Sequence, residues 1–108
     1  MRLRLTTIAA LCAAAAGCGG GGGGGGTGKA ASAGAKVFDS AGCANCHTLA
    51  AAGAHGRVGP DLDQLKPDAA LVERQVTNGG GGMPSFRGTL SPQQIKAVAD
   101  YVSSTAGR

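Results

Sequence analysis

The chain has 108 residues, a formal net charge of +4, 21 glycines and no tryptophan, and aromatic residues make up only 3% of it. When the N-terminal segments described below are set aside, about 80 residues remain, which is enough for one small domain with a limited core. The charged side chains of that domain are dispersed, so the sequence does not indicate nucleic-acid binding. It also lacks a catalytic triad, paired carboxylates and a phosphate-binding loop.

The N-terminus has the layout of a secretory signal peptide. Arg2 and Arg4 form a positive region, residues 5–16 form an apolar stretch, and Gly17 ends a run of small residues. The apolar stretch is too short to span a bilayer as a stable helix. Residues 1–17 are therefore predicted to direct export.

The end of this segment, Ala15-Ala16-Gly17-Cys18, resembles a bacterial lipobox, in which the cysteine is lipidated and becomes the mature N-terminus. Ala15 stands where leucine is usual. Cys12 fits less well because Leu11 precedes it. We predict lipidation of Cys18; the alternative is cleavage just after the small residues, which would release a soluble protein with a stray cysteine.

Residues 18–30 are predicted to be a flexible linker behind the lipidated cysteine. They include an unbroken glycine run from Gly19 to Gly26, and such a segment buries nothing and behaves as a coil. Its mean reach is about 20 Å. The linker would join a lipid to a folded domain at residues 31–108.

The first helix of that domain is predicted to start at a Ser32 cap and to run to about Ala41. Val37 and Phe38 would lie on its inner face. Gly42 is predicted to end it.

The next residues, Cys43-Ala44-Asn45-Cys46-His47, form a C-x-x-C-H motif, which is typical of covalent c-type haem attachment. Cys43 and Cys46 would form thioether bonds to the haem vinyl groups, and His47 would bind the iron. Zinc sites and redox dithiols also use C-x-x-C and remain alternatives. A dithiol site would need a βαβ context, which the flanks lack, and zinc needs about four ligands. Bacteria attach this haem outside the cytoplasm, which agrees with the export signal.

A turn at Gly59-Pro60-Asp61-Leu62 is predicted to lie beside the haem. A ligating histidine usually donates its free ring N–H to a carbonyl group, and the Pro60 carbonyl is our candidate. Leu62 and Leu65 are predicted to line the haem.

Two further helices are predicted. The middle one covers Asp68 to Thr77 and stops at Asn78-Gly79. Its apolar face consists of Leu71, Val72, Gln75 and Val76. The last one starts at Ser91-Pro92-Gln93-Gln94, which combines a capping box with proline at the first helical position. Its apolar stripe consists of Ile95, Val98, Tyr101 and Val102.

No segment alternates as a strand, so the fold class is all-α, with three to four helices wrapped round one covalent haem. Large apolar residues are few, and a buried haem would complete the core. We therefore predict that the apo chain is largely unfolded.

Met83 is the candidate for the second iron ligand. It lies in the loop Gly79-Gly80-Gly81-Gly82-Met83-Pro84, where glycines allow the backbone close to a porphyrin face. A thioether ligand raises the haem potential, which suits electron transfer. The alternatives are that Met83 only packs the loop, or that His55 is the ligand. His55 follows His47 by only eight positions, and a solvated loop position is predicted for it.

Together these motifs resemble the class I monohaem cytochromes c in their short bacterial and photosynthetic form. The matching segments are Gly34-x-x-x-Phe38, Cys43-x-x-Cys46-His47, Gly59-Pro60-Asp61-Leu62, Asn78-Gly79, Met83-Pro84-x-Phe86 and a C-terminal helix with Tyr101. The resemblance implies packing of the first helix on the last, low-spin iron ligated by His47 and Met83, and one exposed haem edge. It also suggests that Gln75 and Asn78 make polar contacts near the methionine or a propionate.

The function predicted from these features is one-electron transfer without enzymatic activity. The protein would be a lipid-anchored monomer on the extracytoplasmic, periplasmic side of a bacterial membrane. It would carry electrons between redox complexes, for example from a quinol-oxidising complex to a terminal oxidase, and Arg57 and Arg87 could steer an acidic partner. One alternative is a haem sensor or peroxidase with a labile sixth ligand. Another is a dedicated electron-entry subunit of one enzyme.

Overall fold

The computed structural model describes the backbone of residues 25–108 and the side chains of residues 31–108. In this part of the chain, two helices pack across the C-terminal helix. The predicted signal peptide and lipidation site fall outside these residues. The helices are α1 (Gly25–Ser40), α2 (Leu62–Leu65), α3 (Ala69–Asn78) and α4 (Pro92–Thr105). The most extensive contacts join α1 to α4 and α3 to α4. The predicted all-α fold class is confirmed.

The start of α1 differs from our prediction. The helix begins at Gly25, so residues 25–30, which were predicted to belong to the flexible linker, are helical. Ser32 therefore lies within the helix and does not cap it. Lys29, Ala30 and Ala31 have high helix propensity, and alanine is the best helix former of all. The other end agrees with the prediction, because Gly42 adopts a left-handed conformation with φ 79° directly after the helix.

The crossing of α1 and α4 needs a glycine. A Cβ atom on Gly34 would clash with the Ala97 carbonyl oxygen and with the Tyr101 Cβ. One turn further, the rings of Phe38 and Tyr101 meet edge to face, with centroids 6.0 Å apart. The predicted packing of the first helix on the last is therefore present.

The other helix boundaries follow their caps. Asp68 caps α3 by accepting a hydrogen bond from the Leu71 N–H, and so α3 starts one residue later than predicted. The predicted capping box of α4 is complete, with Ser91 and Gln94 bonded to each other's backbone N–H groups. All four residues of the predicted α4 stripe are buried: Ile95, Val98, Tyr101 and Val102.

Two short elements were not predicted. The first is an antiparallel hairpin, β1 (Thr48–Leu49) with β2 (Ala54–His55), in a segment where the sequence shows no strand-like alternation. Two-residue strands are too short to show alternation. The second is α2, where the Asp61 carboxylate accepts hydrogen bonds from two N–H groups of the helix start.

No helix within residues 25–108 combines the length and the apolar character that a membrane span requires.

Candidate functional site

The C-x-x-C-H motif winds into a tight turn directly after Gly42. Residues Cys43–Asn45 form one 3₁₀ turn, and the Cys43 carbonyl accepts hydrogen bonds from the N–H groups of Cys46 and His47. The winding places the side chains of Cys43 and His47 on the same cavity. Cys46 is half-buried and is not among the residues that line this cavity.

The His47 ring is fixed by the turn that was predicted to meet it. Its Nδ1 lies 2.8 Å from the Pro60 carbonyl oxygen. Because a carbonyl can only accept, Nδ1 carries the proton and Nε2 keeps its lone pair for a metal. The predicted hydrogen bond is therefore present.

Two glycines close around this histidine. A Cβ atom on Gly59 would lie 2.7 Å from the ring carbon Cε1 of His47, and one on Gly56 would lie 2.6 Å from the His47 nitrogen. The Gly56 N–H donates to the His47 carbonyl, and the Gly59 N–H donates to the Cys46 carbonyl. The role of Gly56 was not predicted, because in the sequence it is only a glycine in a loop near the motif.

An apolar cavity of about 350 Å³ lies in front of the His47 ring. Its walls come from all four helices and include Phe38, Leu62, Val72, Val76, Val98 and Val102. Leu65 and Leu71 also line it, and they are 51% and 39% exposed although both are large and apolar. The cavity thus exposes apolar surface that a flat apolar group would cover.

Met83 lines the same cavity on a tight backbone turn. Gly80 and Met83 exchange two backbone hydrogen bonds of 2.9 and 3.1 Å. Gly81 and Gly82 fill the two central positions with φ values of 61° and 93°, which glycine adopts without strain. The glycine run therefore serves to present the methionine at the end of a two-residue turn.

The three other polar residues that were predicted to lie near the haem or were considered as iron ligands, His55, Gln75 and Asn78, do not lie together. His55 is exposed on β2 and lines a separate, shallow, polar cavity with Thr48 and Arg57. Gln75 lines the apolar cavity and donates a hydrogen bond to the Gly80 carbonyl. Asn78 accepts a hydrogen bond from Arg87 and does not line the cavity.

The thiol of Cys43 does not resemble the reactive thiol of a redox dithiol. Burial raises the pKa of the Cys43 thiol, and the nearby Cys46 adds to the increase against an opposing backbone hydrogen bond. Reactive C-x-x-C thiols have a lowered pKa instead. A zinc site is also disfavoured, because residues 31–108 hold no cluster of three or more histidine, cysteine or acidic side chains suited to a metal.

The residues present fit haem c. The cavity is lined by a thiol, an oriented imidazole, a thioether and apolar side chains, and the motif supplies a second thiol beside them. The two cysteines of the motif form no disulfide, so both sulfur atoms can form thioether bonds with haem vinyl groups.

Comparison with known proteins supports this fit. Residues 29–102 match the family described as "Cytochrome C oxidase, cbb3-type, subunit III". Cytochrome c6 from Leptolyngbya boryana is 41% identical over 80 residues, which are 70% of this chain and 93% of that protein. The Cbb3-type cytochrome c oxidase subunit FixP from Bradyrhizobium sp. (strain ORS 278) is 41% identical over 83 residues, 71% of this chain but only 28% of FixP.

A solved structure has the same architecture. The c-type cytochrome SorU from Sinorhizobium meliloti aligns with a TM-score of 0.70 and 48% sequence identity, over 74% of this chain and 94% of SorU. The cytochrome match covers more than half of the chain and includes the motif, the cavity and the Met83 turn. The chain therefore belongs to the cytochrome c family, as a small class I monohaem cytochrome with one covalently bound haem c that serves electron transfer.

Proposed function

We propose that this protein is a one-electron carrier whose haem iron is ligated by His47 on one side and Met83 on the other. The observation that carries the proposal is that both side chains line one apolar cavity, with His47 Nδ1 already bonded to the Pro60 carbonyl. When bound, haem c supplies an iron that accepts and releases single electrons. The protein transforms no substrate in this proposal.

The chain's part is to keep the two ligands in place in both oxidation states. The Pro60 carbonyl fixes the orientation of the His47 ring. The two backbone hydrogen bonds between Gly80 and Met83 restrain the position of the methionine. Thioether ligation and the apolar walls would both raise the reduction potential of the haem. A methionine in the sixth position would also disfavour the binding of small ligands to the iron.

The proposed location is the extracytoplasmic, periplasmic side of a bacterial membrane, with the protein anchored as a monomer through lipidated Cys18. The support is the signal-peptide pattern of residues 1–17 and the glycine-rich segment that follows. A short tether raises the local concentration of the carrier near membrane complexes. The proposed partners are a quinol-oxidising complex as donor and a terminal oxidase as acceptor.

Membrane attachment can be tested in the exporting host. We expect the native protein to sediment with membranes and to be released by detergent, and Cys18→Ser to appear in the soluble exported fraction. Cys12→Ser is the matched control and should stay with the membrane. If Cys18→Ser sediments like the native protein, or the native protein is soluble, the lipid anchor is wrong.

The carrier role can be tested with membranes that contain both complexes but lack this protein. Added haem-loaded protein should restore quinol-driven oxygen uptake in proportion to its amount. Arg74→Leu, which alters an exposed residue of α3, serves as the control and should restore uptake equally. If oxygen uptake stays at the level without the protein, the proposed donor and acceptor are wrong.

The match to FixP supports a second candidate, a dedicated electron-entry subunit of one enzyme. Purification after mild-detergent extraction distinguishes a dedicated subunit from a free carrier. A subunit would copurify with one oxidoreductase in fixed ratio, whereas a carrier would elute free from both complexes.

A further inference from the structure

The segment that follows Met83 is fastened to the end of α3. The Ser85 hydroxyl donates to the Thr77 carbonyl at 2.6 Å, the Phe86 N–H donates to the Val76 carbonyl at 2.9 Å, and Arg87 Nη2 donates to Asn78 Oδ1 at 2.7 Å. Three consecutive residues thus bond to three consecutive residues of the last turn of the helix. We call residues 85–87 the clasp.

The clasp satisfies groups that a helix end leaves without partners. The last four carbonyls of an α-helix have no intrahelical donor, and two of them here, at Val76 and Thr77, bond to the clasp. The last turn of α3 contains no basic residue of its own. Arg87 supplies from outside the helix the positive charge that favours a helix C-terminus.

The clasp also determines where the methionine turn can lie. The backbone of Gly79, directly after α3, packs so closely on the backbone of residues 83–85 that a Cβ atom there would lie 2.6 Å from the Met83 carbonyl oxygen. Gln75 bonds to Gly80 at the start of the turn, and the clasp bonds to the helix at its end. Met83 is therefore held between two attachments to the same helix.

We infer that Ser85 and Arg87 are positioning residues that keep Met83 against the haem iron by fastening its loop to α3. The inference rests on the proposed ligation by Met83. Neither residue lines the cavity, so neither would touch the haem pocket, and each acts through the position of the loop. Release of the clasp would let Met83 leave the iron more often and would admit outside ligands.

The test uses imidazole as the outside ligand, because it is small and replaces methionine on ferric haem. The haem-loaded protein is titrated with imidazole while the weak red-edge band of methionine–ferric ligation is followed. Arg87→Leu loses one exposed hydrogen bond, and Ser85→Ala loses two, the one to Thr77 and the one accepted from the Arg87 N–H. In both variants we expect the apparent affinity for imidazole to rise roughly three- to tenfold. Unchanged haem content and helicity would show that both variants fold.

A double-mutant cycle shows whether a change in imidazole affinity comes from the bond between Arg87 and Asn78 or from the loss of a positive charge. Asn78→Ala should raise imidazole affinity as Arg87→Leu does, and the double variant should do no more than either alone. Arg74→Leu removes an exposed positive charge from α3 itself and should bind imidazole as the native protein does. A rise in Arg74→Leu equal to that in Arg87→Leu would overturn the inference.

The remaining outcomes distinguish this inference from the proposed ligation. If the native protein has the methionine band but Arg87→Leu and Ser85→Ala bind imidazole with native affinity, the clasp is refuted and the His47–Met83 proposal stands. If the native protein lacks the methionine–ferric band, ligation by Met83 is refuted. The inference that the clasp holds this ligand is then refuted as well.

Discussion

His47 is constrained by three neighbours that come from one short stretch of chain. The Pro60 carbonyl fixes its Nδ1, Gly59 contacts the ring, and Gly56 contacts its backbone. The hairpin of β1 and β2 brings this stretch back onto the motif. A side chain at either glycine would displace the ring or the backbone of the histidine, so the loop after the motif is as much part of the site as the motif itself.

Asp63 connects this region to the C-terminus. Its carboxylate accepts hydrogen bonds of 2.8 Å from the N–H groups of Gly107 and Ala50. These two bonds hold the pKa of the Asp63 carboxyl below its ordinary value of 3.8. A carboxyl whose pKa is lowered by folding stabilises the folded state when it is ionised.

We predict that Asp63→Asn lowers stability at neutral pH and that its difference from the native protein disappears in acid. The contribution of Asp63 is complete above pH 3.8 and is lost as the pH falls through the lower pKa of the folded state. The measurement is the denaturant midpoint of the haem-loaded protein as a function of pH. Asp39→Asn, on the exposed side of α1, is the control. A difference between native protein and Asp63→Asn that does not change with pH would contradict this account.

At the scale of elements, the crossing of α1 and α4 determines the positions of two walls of the cavity. Phe38 from α1 and Val98 and Val102 from α4 line the cavity, and all three are buried. The helices approach closely only because Gly34 has no side chain. Any widening of the crossing would therefore move two walls of the haem site.

We expect Gly34→Ala to destabilise the protein by roughly 1–3 kcal/mol, the usual cost of forcing one extra carbon into a packed contact. The added Cβ would meet the Ala97 carbonyl oxygen and the Tyr101 Cβ, and the helices would have to separate. Thermal unfolding of the haem-loaded protein measures the change. Ser32→Thr adds a methyl group on the exposed side of the same helix and should have little effect. Equal stability of Gly34→Ala and native protein would refute the close crossing.

The same elements show how far the sequence could predict the structure. The α4 start was predictable because a capping box is a local pattern, and the contact of His47 with Pro60 was predictable because a ligating histidine needs an acceptor. The hairpin and α2 were missed because two to four residues carry no periodicity. The clasp was missed because Ser85, Arg87 and Asn78 are ordinary polar residues whose pairing depends on the path of the loop.

At the scale of the whole molecule, the buried core of the folded domain is small and adjoins the apolar cavity. The cavity is lined by residues from all four helices, and Leu65 and Leu71 remain substantially exposed. Small domains with little apolar burial often depend on a covalent or metal staple. Haem c supplies both the missing apolar volume and two cross-links to the chain.

We predict that the chain without haem is largely unfolded. The variant Cys43→Ser/Cys46→Ser, which cannot form thioether bonds, should show low helicity and a broad thermal transition, because the cavity walls have nothing to pack against. Circular dichroism measures both. The haem-loaded native protein is the control and should be helical with a cooperative transition. A cooperatively folded double variant would show that α1, α3 and α4 form a sufficient core by themselves.

The measurement that tests the central claim most directly is the optical spectrum of the haem-loaded protein, oxidised and reduced, with and without carbon monoxide. The account predicts low-spin c-type spectra, the red-edge band of methionine–ferric ligation, and no effect of carbon monoxide. Met83→Ala should lose the band and bind carbon monoxide, whereas His55→Ala should behave like the native protein. Ready binding of carbon monoxide by the native protein, or a high-spin ferric spectrum, would contradict ligation by His47 and Met83 and would favour a sensor or peroxidase.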